Sequence, residues 1–169
     1  RWLWAAARQD DPAAQLRLGD LHLKGEWISR DLGEAMRLFE AAARHGVAQA
    51  AFNLGYMHAN GLGTPRDQRA AMAWYTTASE AGDLLASHNL GLLLIQGPPN
   101  TRDIEAGLTA LRRAARGGHL DAQYALGMLY AQGNAVTPDS VEAVRWLERA
   151  AEGGHQRARY QFARLLHHG

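Results

Sequence analysis

The chain has no cysteine among its 169 residues. That absence excludes a disulfide scaffold, a thiol nucleophile and cysteine-ligated zinc. It leaves the compartment open, because a cysteine-free protein is stable in oxidising and reducing surroundings alike. No run of apolar residues approaches the roughly 18 that a membrane-spanning helix needs. An excess of either charge is also missing: 18 basic residues face 17 acidic ones, for a net charge of +1. Nucleic-acid binders carry a clustered basic face, and no long basic run occurs here. These absences point away from membrane insertion and from nucleic acid as a partner. The chain opens at Arg1 with neither a methionine nor a signal peptide, so it is expected to be a trimmed piece of a longer protein.

Proline is scarce, at five residues, whereas alanine reaches 32 and glycine 18. Alanine has the highest helix propensity and lets helices approach closely. The mixture predicts many short helices with regular punctuation and argues against strands.

The punctuation is periodic. Ala14, Ala50, Ala86, Ala122 and Ala158 stand 36 apart, and each is followed by Leu18-Gly19, Leu54-Gly55, Leu90-Gly91, Leu126-Gly127 or a degenerate Phe162-Ala163. The same register carries Gly25, Gly61, Gly97, Gly133 and Gly169, then Asp31, Asp67, Asp103 and Asp139, and closes each unit with Gly46, Gly82, Gly118 and Gly154. The Ala-x-x-x-Leu-Gly segment reads as the core stripe of a first helix, its glycine making room for a neighbouring helix. The next glycine is expected to end that helix, and the aspartate to cap a second one. Asp31…Glu34 and Asp139…Glu142 have capping-box spacing. The second helix carries the large core residues Leu38-Phe39, Trp74-Tyr75 and Trp146-Leu147.

In this register residues 1–8 are the second helix of a partial repeat, 9–44, 45–80, 81–116 and 117–156 are full repeats, and 157–169 begin another. Trp4 occupies a slot that is Glu40, Thr76, Arg112 and Glu148 elsewhere, which predicts packing against something outside the regular array. The third repeat is the weakest. Pro98-Pro99 lies in its turn, and Gly107 and Ala110 replace an alanine and a large residue, so loosening or a bend is expected there.

The pattern resembles the Sel1-like repeat, a relative of the tetratricopeptide repeat. Leu54-Gly55, Gly61-Leu62-Gly63, Asp67, Ala71, Trp74-Tyr75 and Ala78 fit it best, and the resemblance covers essentially the whole chain. It implies an all-α fold, a right-handed α/α superhelix (solenoid) of 36-residue helix–turn–helix repeats. It also implies an adaptor or scaffold that binds another protein, with no cofactor. Some bacterial members resemble partners or inhibitors of secreted effectors. The alanine- and arginine-rich composition looks bacterial, and the periplasm is favoured over the cytoplasm. Open ends of such arrays can stack, so end-to-end self-association is a further expectation.

In a superhelix of helix pairs the first helices line the concave side, which by resemblance to tetratricopeptide proteins is the peptide groove. The stripe opposite the core stripe then supplies the contacts. It reads Arg17, Asp20 and Lys24 in the first repeat, Asn53, Tyr56 and Asn60 in the second, Asn89, Leu92 and Gln96 in the third, and Met128 and Gln132 in the fourth. Tyr56, Leu92 and Met128 form an apolar ladder, or alternatively pack on neighbouring helices. The amides, Asn53 and Asn89 above all, suit hydrogen bonding to a peptide backbone. Trp27 falls in a turn and either anchors an interface or folds over the adjacent helix.

No catalytic or metal site is expected. His22 and His58 share a core-facing slot and are expected to be hydrogen-bonded there. His119 and His155 share another, read as an exposed polar position after a turn. Neither His-x-x-x-His nor His-Glu-x-x-His spacing occurs, and no serine lies in a Gly-x-Ser-x-Gly elbow. A concave groove that holds a peptide or helix is therefore the leading expectation. The alternative is an inhibitor or immunity-type protein that neutralises one bacterial effector enzyme through turns such as that of Trp27.

Overall fold

The computed structural model describes residues 2–168; Gly169, the last glycine of the register, lies outside the described residues. Among the described residues ten helices follow one another: α1 (Trp2–Arg8), α2 (Pro12–Lys24), α3 (Leu32–Arg44), α4 (Ala48–Asn60), α5 (Gln68–Glu80), α6 (Leu84–Gln96), α7 (Ile104–Arg116), α8 (Leu120–Gln132), α9 (Ser140–Glu152) and α10 (Gln156–His168). No strand occurs among the described residues. The chain divides into two compact units, Arg1–Ala86 and Ser87–Gly169.

Helices α2 to α10 each have 13 residues, about 20 Å of axis at 1.5 Å per residue. Their length is set by chemistry at both ends. Asp31, Asp67, Asp103 and Asp139 cap α3, α5, α7 and α9, each side chain accepting a backbone N–H of the first turn. Gly25, Gly61 and Gly133 end α2, α4 and α8 in the left-handed conformation, which glycine adopts without Cβ strain.

The capping boxes form only in half. Glu34 binds Arg37 with both oxygens, at 2.6 and 2.8 Å. Glu142 accepts from Arg145 and from the Trp146 indole. The aspartate N–H that each glutamate would have received is already taken. Asp31, Asp67, Asp103 and Asp139 donate theirs to the carbonyls of His22, His58, Leu94 and Tyr130, at 2.9–3.1 Å. This clasp ties the start of each second helix to its own first helix.

The first helices are capped at another recurring slot. Asp11 and Asp83 accept from Ala14 and Ala86 through Oδ1 at 2.7 Å. His119 and His155 accept from Ala122 and Ala158 through Nδ1 at 3.2 and 3.0 Å. These two histidines were expected to be exposed polar residues; they are half-buried helix caps instead. Val47 holds the slot in α4 and makes no side-chain cap.

Within each repeat the helical glycine receives the large residue of the second helix. A Cβ on Gly19 would meet the Phe39 ring at 2.5 Å, and one on Gly55 the Tyr75 ring at 2.6 Å. Leu147 fills the same position against Gly127 at 2.6 Å. In the first unit Phe39, Leu54 and Met57 are fully buried with Ala35, Ala42 and Ala50. In the second, Leu111, Leu126 and Trp146 centre one cluster and Leu147 another.

The third repeat is tightly packed where its two helical glycines lie. Gly91 and Gly107 face each other, so a Cβ on Gly107 would lie 2.6 Å from Ile95 Cγ1 and 3.0 Å from the Gly91 carbonyl oxygen. Replacing alanine with glycine here draws two helix backbones together rather than opening a gap. Trp4 is exposed at 36%, and its ring meets that of His22 edge-on, with centroids 5.5 Å apart. His22 departs from expectation as well. It is buried, but neither ring nitrogen has a hydrogen-bond partner.

Candidate functional site

In the first unit the first-helix stripe consumes most of its own polarity. Asn53 was expected to be groove-exposed, yet it is only 8% exposed. Its Nδ2 donates to Asp20 Oδ1 at 3.0 Å, and its Oδ1 accepts from Gln49 Nε2 at 3.2 Å. Burial raises the Asp20 pKa, while Lys24, the Asn53 hydrogen bond and Arg17 pull it down. Asn60 donates back to the Tyr56 carbonyl at 2.8 Å. Tyr56 remains 44% exposed. Arg17, Asp20, Leu21, Lys24, Glu26 and Trp27 line a small cleft of about 110 Å³. Trp27 itself is 83% exposed and does not fold over the adjacent helix.

The second unit holds an open cleft of about 410 Å³ on its first helices, α6 and α8. Four of the stripe residues meet there: Leu92 and Gln96 from α6, Met128 and Gln132 from α8. Asn89 is half-buried and is not among the lining residues. Leu92 and Met128 are partly buried and pack on the two core clusters as well, so each leans on the core while facing the cleft. Ile95, Ala125 and Leu129 extend the apolar surface. Gln96 is exposed, and Gln132 is exposed with its Oε1 accepting from Asn134 at 3.3 Å.

One rim of this cleft is aromatic and titratable, and the stripe reading missed it. His88, Asp121 and Tyr124 line it. The His88 ring stacks on His119 with centroids 4.9 Å apart, and Tyr124 stacks on His155 at 4.6 Å. Asp121 Oδ1 lies 3.0 Å from His155 Nε2. Burial lowers the His88 pKa, His119 lowers it further, and Asp121 opposes both. The available signal was the cap slot itself, since His119 and His155 stand 36 and 72 residues beyond Asp83.

Among the described residues no group of three or more His, Cys, Asp or Glu side chains is arranged to hold a metal ion. No helix among them is long and apolar enough to cross a membrane. The surfaces present an apolar floor with amide groups beside it in the second unit, and the exposed Trp27 indole in the first.

The Sel1 repeat matches residues 12–47, 48–83, 84–119 and 120–155. The fold is similar to that of a protective antigen of uropathogenic Escherichia coli displaying an SLR fold, with a TM-score of 0.87 and 34% identity, over 93% of this chain and 34% of that one. A Sel1 repeat protein from Oxalobacter formigenes gives a TM-score of 0.83 and 33% identity, over 93% of this chain and 64% of that one. The chain thus spans a third of the first relative's length and just under two thirds of the second's. An immunity protein from Pseudomonas aeruginosa shares the fold at a TM-score of 0.58 and 22% identity, over 92% of this chain and 58% of that one. Among curated proteins none matches. With no strand among the described residues and four matched repeats in succession, the fold is an all-α repeat solenoid, and the chain belongs to the Sel1 repeat family.

Proposed function

We propose that this chain binds a peptide or helix of a partner protein in the cleft of α6 and α8. Sel1 repeat proteins are protein-interaction scaffolds and are generally non-enzymatic. The observation that carries the finer reading is the cleft of about 410 Å³, lined by Leu92, Met128, Ala125 and Leu129 with Gln96 and Gln132 beside them. An apolar anchor desolvated between these side chains supplies affinity. The glutamine amides can both donate and accept, which suits a backbone whose N–H and C=O groups need partners.

Panning a random peptide library against the chain tests the reading. Enriched peptides should lose at least about tenfold in affinity, or 1.4 kcal/mol, for Leu92→Asp/Met128→Asp, with helicity verified by circular dichroism. Equal binding to parent and folded variant would reject the cleft.

A second reading is favoured by Trp27, 83% exposed in its turn. An isolated exposed indole is the kind of side chain that anchors a protein interface. In this reading the chain caps one effector enzyme, as an immunity protein does, and peptides or partners would be lost on Trp27→Ala while tolerating changes at Leu92 and Met128.

A further inference from the structure

The second unit carries another cleft, of about 360 Å³, lined by the second helices α7 and α9 and by Tyr130 of α8. Four arginines reach it, Arg112 and Arg116 from α7 and Arg145 and Arg149 from α9, against two carboxylates, Asp139 and Glu142. Both carboxylates are committed. Asp139 Oδ1 caps α9 through Val141 and Glu142 N–H. Glu142 accepts from Arg145 at 3.1 Å and from the Trp146 indole at 2.8 Å. Arg112, Arg116 and Arg149 have no carboxylate partner among the described residues.

Two of these guanidiniums are held in place by uncharged partners. Arg112 Nη2 donates to Tyr130 Oη at 2.7 Å. Arg149 Cζ stands 5.3 Å from the centre of the Trp146 ring, a cation–π distance. Each keeps most of its five donors available, in the planar fork that matches a carboxylate.

The corresponding cleft of the first unit shows that this concentration is not a by-product of the repeat. That cleft, about 410 Å³, lies three periods earlier and includes Trp4, Arg8, Glu34, Arg37, Leu38 and Ala41. Trp4 stands where the later cleft has Arg112, and Ala41 where it has Arg149. Arg37 is neutralised by Glu34 at 2.6 Å. Both slots thus lack the cation they carry later; with Arg44 also in its lining, the first cleft holds three arginines against Asp10 and Glu34, one cation fewer than the later cleft.

We propose that the α7–α9 cleft is a second recognition site, for the aspartate and glutamate side chains of an acidic segment of a protein partner. Its lining sums to two positive charges in a chain whose net charge is only +1. The unpaired guanidiniums come from two helices, with the Trp146 indole among them. Guanidiniums presented from two helices into one cleft can each take a carboxylate of the same peptide segment. A nucleic acid would need a basic track running along the surface, and the arginines are gathered in one cleft instead.

The test is fluorescence anisotropy of a labelled hexaglutamate peptide titrated with the full chain at low ionic strength. Binding is expected to weaken about tenfold or more in Arg112→Gln/Arg149→Gln, since a charged hydrogen bond contributes about that factor or more. The first-unit pair Arg8→Gln/Arg44→Gln should change it less than about twofold, as expected for exposed charges outside the site. Arg149→Ala installs the residue that Ala41 already places in the same slot, so it provides a variant compatible with the repeat. Leu92→Asp should leave hexaglutamate binding intact, which separates this site from the α6–α8 cleft. Three outcomes overturn the proposal: equal binding to the Arg112/Arg149 variant, equal loss in the Arg8/Arg44 variant, or displacement of the peptide by inorganic phosphate at matched ionic strength. The last would make the cleft a site for small oxyanions.

Discussion

The two units use one repeat to opposite ends on their first helices. In the first, Gln49, Asn53 and Asp20 hydrogen-bond to one another, while Tyr56 stays exposed on α4 and Trp27 in the turn after α2. In the second, the equivalent surface stays open as a cleft bordered by His88, Asp121 and Tyr124. Asn53 and Asn89 occupy the same slot 36 residues apart, but the position of Asp20, which Asn53 binds, is Tyr56 one period on. A polar stripe residue becomes structural or available according to its neighbour one period away, not according to its own type.

Four measurements would break or sharpen that comparison. The largest effect is expected from Gly107→Ala. Ala35, Ala71 and Ala143 hold this slot elsewhere, so the repeat pattern alone would forecast a gain from consensus. The contacts of 2.6 Å to Ile95 and 3.0 Å to the Gly91 carbonyl forecast a loss of about 2–3 kcal/mol by overpacking, read from urea unfolding. Next comes the asparagine pair. Asn53→Ala strands the half-buried Asp20 and should cost about 1–2 kcal/mol, whereas Asn89→Ala should cost about 0.5 kcal/mol or less.

A smaller effect should appear as pH dependence. His88 has its folded pKa below the ordinary 6.5 because it is buried beside His119. The unfolded chain therefore binds the extra proton first. The stability that neutral His88 permits is complete above pH 6.5 and falls as pH drops through that value toward the folded pKa. Thermal melts across this window should show the decline in the parent and a flatter profile in His88→Gln. An unchanged slope would remove His88 as its source. The smallest effect belongs to Asp10, which has φ of +59° in the slot that is Gly46 and Gly82 elsewhere. Asp10→Gly should relieve left-handed strain and raise stability by about 0.5 kcal/mol, offset in part by the lost Gln15 hydrogen bond.

The helices and their packing were legible because they depend on slots that recur. Asp31 and Asp139 cap, and Gly19 and Gly55 receive aromatic rings, for reasons internal to one repeat. Features that depend on a particular neighbour were not legible. The glutamates of the capping boxes turned away because the aspartate N–H groups already bind first-helix carbonyls. His119 and His155 looked like surface residues until their Nδ1 atoms were seen to accept from helix N-termini. Of the candidate site, Leu92, Gln96, Met128 and Gln132 were placed together by register alone. The arginine cleft was not, because its members lie on second helices outside the stripe considered.

The clasp from each second-helix aspartate to its own first-helix carbonyl has a mechanical consequence. It closes every hairpin on itself, so a pulling force applied along the chain meets a row of separately latched loops. Extension should then proceed in increments of one 36-residue period, roughly 120 Å of contour at about 3.4 Å per residue, each step marking the release of a single latch.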